Sequence, residues 1–180
     1  MLRLTVQMSP EGWDEVKEEF VEAKTQTLQL EHSLISLSKW ESKWCKPFLS
    51  NEKKTTEEVV DYIKFMTLNS VDPEIYERLS TENFQKIDAY INAPMTATTF
   101  SESKQGKNNR EVITSELIYY WMVALNIPFE CQKWHLNRLL TLVRVCNIKN
   151  QPPKKKSRRE TASNYAALNA ARRKQMNSKG

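Results

Sequence analysis

The spacing of apolar residues changes once along this chain, at Ser33, and that change fixes the class of fold open to it. Before it, "MLRLTVQM" alternates Leu2, Leu4, Val6 and Met8 with Arg3, Thr5 and Gln7, the two-residue repeat of a half-buried strand. "TQTLQLEH", Thr25 to His32, repeats the alternation through Leu28 and Leu30. Together the two runs predict a small antiparallel sheet. The stretch between them, "EGWDEVKEEFVEA", admits a hairpin or a short helix. Trp13, Val16, Phe20 and Ala23 fall three or four apart, and Ser9 with Pro10 suits a helix start. After Ser33 the repeat is helical: Leu34, Leu37, Trp40 and Trp44 share a face until Pro47 stops the segment. The fold class expected is therefore α+β, mainly α. It comprises a small N-terminal antiparallel β element, a helical body with a central helical hairpin, and a basic C-terminal tail.

Further along, "TTEEVVDYIKFM" offers Thr55 as N-cap with Glu58 three residues on, a capping box that turns Val59, Ile63 and Met66 inward. Asp72 before Pro73 marks another helix start, and Ser80 caps "STENFQKIDAYI" with Phe84, Ile87 and Ile91 as its stripe. Asn92 to Glu111 is polar and turn-rich, a long loop. "EVITSELIYYWMVAL", Glu111 to Leu125, is the most apolar helix expected. Asn126 and Pro128 break it, and Pro128 at a first helical position predicts that "FECQKWHLNRLLTLVRVCNIK" begins at once. This hairpin, with Leu136, Leu139, Leu140, Val143 and Cys146, is expected at the centre of the core. Tyr119, Tyr120 and Trp121 are consecutive, so one helix face cannot bury all three. At least one ring is left for a partner.

Charge divides the chain. Residues 149–180 hold ten Lys and Arg against one acid, Glu160, so the tail carries +9 and everything before it −4. The domain reading is a mainly helical globular domain over residues 1–150 with a basic, flexible tail at 151–180. That split argues against a uniformly basic nucleic-acid-binding domain. Any phosphate affinity is confined to Lys154, Lys155, Lys156, Arg158, Arg159, Arg172, Arg173 and Lys174, which makes nucleic acid a secondary partner. "QPPKKKSRRE" fits a nuclear-signal pattern, but its prolines deny helix and its charges repel, so it reads as a tether. "ETASNYAALNAARRKQM" has alanine-rich helix propensity with only Tyr165, Leu168 and Met176 to bury, a marginal helix that orders against a partner.

Chemistry is sparsely signalled. Gly12, Gly106 and Gly180 are the only glycines, which excludes the usual phosphate-cradling loops. Cys45, Cys131 and Cys146 are too few and too scattered for a disulfide framework. Cys131 and His135 stand four apart on an expected helix and could share a face, with His32 and Cys146 converging from elsewhere. Two ligands do not make a metal site, and core packing is the default. The clusters Glu15, Glu18, Glu19 and Glu57, Glu58, Asp61 read as solvated faces. Trp40, Trp44, Trp121 and Trp134 could stack bases, yet their helical spacing points to packing. The expectation is a non-enzyme without cofactor or metal. No apolar run approaches the roughly 20 residues of a membrane span.

The passages "LQLEHSLISLSKWESKWCKPFL", "KTTEEVVDYIKFMTL", "MTATTF" and "ELIYYWMVALNIPFECQKWHLNRLLTLVRVCNIKN", ending in "ALNAARRKQMNSKG", resemble a family of small proteins from the tail-gene regions of long-tailed bacteriophages. Within that group the chain is most like a tail assembly chaperone. The resemblance implies a protein of the infected bacterial cytoplasm that coats the tape measure protein and helps recruit tail-tube protein around it. It implies no catalysis and supplies no residue-level site. A structural virion component, such as a head-tail connector or tail-completion protein, is the alternative, and a nucleic-acid-binding protein acting through the tail is the second alternative. A homo-oligomer through an open strand edge is the remaining association that the sequence admits.

Overall fold

The computed structural model describes residues 1–9, 12–14, 19–100, 112–151 and 158–176. Alternation at the amino terminus becomes four strands: β1 (Leu2–Ser9), β2 (Gly12–Asp14), β3 (Glu19–Val21) and β4 (Lys24–Leu30). β1 and β4 pair antiparallel within the one chain, with Leu2 opposite Leu30 and Leu4 opposite Leu28. This register puts Leu4, Val6, Leu28 and Leu30 on one buried face. A one-residue slip would turn that face to water. β2 and β3 form a short antiparallel ladder with Trp13 opposite Phe20. The described parts of the connecting stretch, β2 and β3, are thus paired strands and not helix.

On its other edge β4 is covered by the chain leaving the second helix. The Glu31 amide donates to the Met66 carbonyl at 2.9 Å and the Leu68 amide to that of Gln29 at 2.8 Å. The Asn69 side chain accepts from the Gln29 amide and donates to the Thr27 carbonyl, both at 2.9 Å. Both backbone groups of Gln29 and the carbonyl of Thr27 on that edge are thus satisfied internally and closed to a second copy.

Among the described residues of the body five helices follow: α1 (Leu34–Trp44), α2 (Thr56–Met66), α3 (Thr81–Asn92), α4 (Ser115–Ala124) and α5 (Leu136–Asn150). Ser33 caps α1 in a box with Ser36, and Thr55 caps α2 in the expected box with Glu58. Each cap contributes about 1 kcal/mol. Cys45 closes α1 in the left-handed conformation two residues before Pro47. Ser80 caps α3 as its spacing predicts, whereas the segment after Asp72 is only a 3₁₀ turn, Pro73–Tyr76. α4 starts at Ser115 rather than near Glu111, because Thr114 takes the cap and residues 112–114 are not helical.

α1 is the wall between two cores. Trp40 faces the sheet, α2 and α3, packing with Leu4, Leu28, Ile63, Met66 and Ile87. Leu34 and Leu37 face Ile118, Met122, Leu136, Leu139 and Val143 of α4 and α5. A fully buried side chain of this size stabilises the fold by about 1.5–3 kcal/mol relative to an exposed one. The α4–α5 hairpin therefore supplies one of two cores and not the centre of a single one.

Its second arm departs from expectation. Phe129–Lys133 is a 3₁₀ turn and α5 begins only at Leu136. Between them Ser33 and His135 form an antiparallel bridge, and the Leu136 amide donates to the His32 carbonyl at 2.7 Å. That tie to the chain before α1 interrupts the helix, so Cys131 and His135 do not share a helical face.

Residues Lys149–Gly180 form a separate compact unit whose described element is α6 (Arg158–Met176). The helix starts two residues before Glu160. Tyr165, Leu168 and Met176 are all exposed on it.

Candidate interaction surface

α4 carries the sequence "SELIYYWMVA", apolar on nearly every face, yet it buries only Ser115, Ile118 and Met122. Its amino terminus is fixed from below. The Glu41 carboxylate, buried on α1, accepts from the Ser115 amide at 2.7 Å and from the Phe48 amide at 2.8 Å. Thr114 adds its side-chain oxygen to the Leu117 amide at 3.4 Å. At the other end Asn126 takes a left-handed conformation that asparagine tolerates, and the Ile127 amide returns to the Met122 carbonyl at 2.8 Å.

With that face pinned inward, the opposite face stands in solvent. Tyr120 is 65% exposed, Val123 61%, and Phe129, just past the helix, 53%. Tyr119 is half-buried, its ring 6.4 Å from that of Phe129 and its hydroxyl donating to Gln132 Oε1 at 2.9 Å. Trp121 is half-buried against the second core. Of the three consecutive aromatics one is thus free, as side-chain directions on a helix require.

The indoles do not assemble a stacking platform. Trp40 is buried and donates Nε1–H to the Glu58 carbonyl at 2.8 Å. Trp134 is covered by the Arg138 guanidinium, 4.2 Å from its ring centroid. Trp44 packs at 6.4 Å from Trp40, and its Nε1 has no partner among the described residues. Of the cationic candidates, Lys154, Lys155 and Lys156 lie outside the described residues. Arg158 and Arg159 open α6, and Arg172, Arg173 and Lys174 are exposed in its last turns.

The residues with catalytic potential are occupied. His135 Nε2 donates to the Tyr90 carbonyl at 3.0 Å, which leaves Nδ1 to accept from the Asn137 amide at 3.3 Å. This bonding defines a neutral imidazole, and burial holds its pKa below the ordinary histidine range. His32 packs edge-on to His135 at 5.1 Å and meets the Tyr62 hydroxyl at 2.5 Å. Burial first, then the neighbouring His135, lowers its pKa to about 3. Burial pushes the Cys131 thiol up, away from a reactive thiolate. Among the described residues no three of His, Cys, Asp and Glu gather as a metal-holding group, and no helix is long and apolar enough to cross a membrane.

Sequence reasoning did not find a second concavity, an apolar cleft of about 260 Å³ between α2 and α3. Its only prior signal was the α3 stripe, of which Phe84 and Ile91 are half-buried. A larger depression of about 550 Å³ lies over Thr5, Gln7, Ser9 and Asn83, an open polar dish whose one charge among the described residues is Arg78. No family model, curated protein or solved structure matches the chain.

Proposed function

We propose that this chain is a non-catalytic interaction protein of the phage tail assembly chaperone kind. It holds apolar helical segments of a tape measure protein in solution in the infected bacterial cytoplasm and helps bring tail-tube subunits to them. The observation that carries this reading is the outer face of α4, where Tyr120 and Val123, with Phe129 beside them, stand in solvent on a helix apolar all round. Helices of that composition are ordinarily buried, and a rigid aromatic face that is not buried suits an apolar partner helix. Tyr119 and Trp121 flank the face, and the basic residues of the C-terminal unit offer a second, electrostatic contact. The tape measure and tail-tube proteins enter as partners through the resemblance quoted above. In this reading the buried, hydrogen-bonded His32 and His135 and the buried Cys131 serve packing.

Co-expression with the tape measure protein of the same phage tests the reading. The wild-type chain keeps that protein soluble and co-purifies with it, whereas Tyr120→Glu combined with Val123→Glu loses both effects while remaining folded. Purified particles lack the chain. An insoluble partner beside the wild-type chain, together with a fixed copy number of the chain in particles, overturns the proposal in favour of a structural virion component.

A further inference from the structure

The cleft between α2 and α3 is walled by Phe48, Val59, Ile63, Phe84, Ile87 and Ile91, with two charges on its rim, Lys54 and Asp88. Its volume of about 260 Å³ falls below the roughly 300–1,000 Å³ of small-molecule pockets and suits one large side chain.

The rim charges decide what that side chain is attached to. Lys43 and Lys64 pair with Asp61, and Lys46 pairs with Glu58 at 2.7 Å. Lys54 makes no ion pair among the described residues. Its ammonium lies 4.5 Å from the Phe48 ring centroid and 5.9 Å from that of Trp40. Loss of water depresses its pKa, against the pull of Glu58 and Glu52. Aromatic faces replace part of the lost hydration, and a carboxylate would replace more. Glu58 cannot turn to it, being held by Lys46 and by the Thr55 amide at 2.8 Å. On the opposite wall Asp88 is exposed and equally unpaired among the described residues, one turn from both Phe84 and Ile91.

We propose that this cleft docks a helix of a partner protein, taking one large apolar side chain between α2 and α3 and an acidic residue one turn away on Lys54. Asp88 repels that acid and attracts a cation, so the helix is accepted in one direction. The inference rests on the reading of the chain as an interaction protein and adds the chemistry of what it grips.

The full chain, methyl-labelled at isoleucine, is titrated with two alanine-based helical peptides. One carries Glu, Leu and Lys a turn apart in that order, and the other has the two charges exchanged. The expected result is a saturable shift of the Ile63, Ile87 and Ile91 methyl signals, with one charge order about fivefold tighter than the other. Lys54→Glu, verified as folded by circular dichroism, removes or reverses that preference. Decanoate is titrated in parallel as a free amphiphilic carboxylate. Unmoved methyl signals with both peptides, a preference that survives Lys54→Glu, or saturable shifts with decanoate alone would each overturn the proposal. The readout is the cleft's own signals and not the solubility of a co-expressed protein. Failure here leaves the α4 reading standing, and failure of co-expression leaves this titration's result intact.

Discussion

Acid should unfold the body through His32 before it does so through carboxylates. The His32 ring is only 2% exposed, flanked by the Tyr62 hydroxyl on one side and His135 on the other. Its pKa falls from 6.5 in the unfolded chain to about 3 when folded. A group depressed in this way stabilises the fold above its unfolded pKa, and that stability drains as pH falls from 6.5 toward 3. At about 1.4 kcal/mol per pH unit for one proton, His32 alone removes about 2 kcal/mol by about pH 5. His135 shifts in the same direction and adds to the loss. The carboxylates enter later. Glu58 is held low chiefly by its hydrogen bond from Lys46, and in Asp61 burial pushes upward but Lys43 and Lys64 outweigh it. Both therefore release stability as pH falls through their unfolded values of 4.5 and 3.8, after His32 has begun to. Urea unfolding followed by tryptophan fluorescence at about pH 7 and about pH 5 measures the drop. The companion variant is His32→Phe with Tyr62→Phe, which replaces both partners by apolar rings and is close to neutral at pH 7. It should lose at least about 1 kcal/mol less than wild type over the same interval. Equal pH slopes in the two proteins, or a wild-type stability flat between those pH values, would refute the argument.

Glu41→Ala leaves the amides of Phe48 and Ser115 without an acceptor and should cost about 2–4 kcal/mol by the same urea assay. Met122→Ala opens the second core where Met122 is fully buried and should cost about 2–5 kcal/mol. Iodoacetamide with mass spectrometry should label exposed Cys45 rapidly and buried Cys131 only under denaturant, since burial raises the Cys131 thiol pKa. A peptide of residues 158–176 should show little helix by circular dichroism in water, because it has few apolar side chains and helices of this length are marginal alone.

The elements that local chemistry specifies were legible in the sequence. The alternation of Leu2, Leu4 and Val6 and of Leu28 and Leu30 predicts the β1–β4 pair, and Thr55, Glu58 and Ser80 mark helix starts where caps form. That at least one ring of Tyr119, Tyr120 and Trp121 stays outside follows from helical geometry, whereas which one it is, Tyr120, does not. What failed depends on contacts between distant residues. Pro128 satisfies every local rule for a helix start, but the bond from Leu136 to His32 is a tertiary preference that no spacing reports. Nothing in the sequence marks Glu41 as buried, because its two amide donors come from the distant Phe48 and Ser115. The cleft escaped notice because Lys54 belongs to a loop while Phe84 and Ile91 match the pattern of a buried stripe that the fold leaves half open.

A small body with apolar cores on either side of α1 still places His32, Ser33, Ser36, Glu41 and His135 in its interior. Burying these groups costs free energy unless each is bonded, and here they are: Ser36 to Ser33 and Glu31, Glu41 to two amides, His135 to Tyr90 and Asn137. Apolar packing tolerates slippage of one helix past another, whereas a bonded polar seam accepts one register. Glu41 joins α1 to the 45–48 loop and to α4, the Ser33–His135 bridge ties the chain before α1 to the start of α5, and His135 in turn bonds α3. The seam therefore fixes which side of α4 turns inward. On a helix apolar all round, hydrophobicity alone would not choose between the Ile118–Met122 face and the Tyr120–Val123 face. The two amides on Glu41, one of them at the first residue of α4, make that choice.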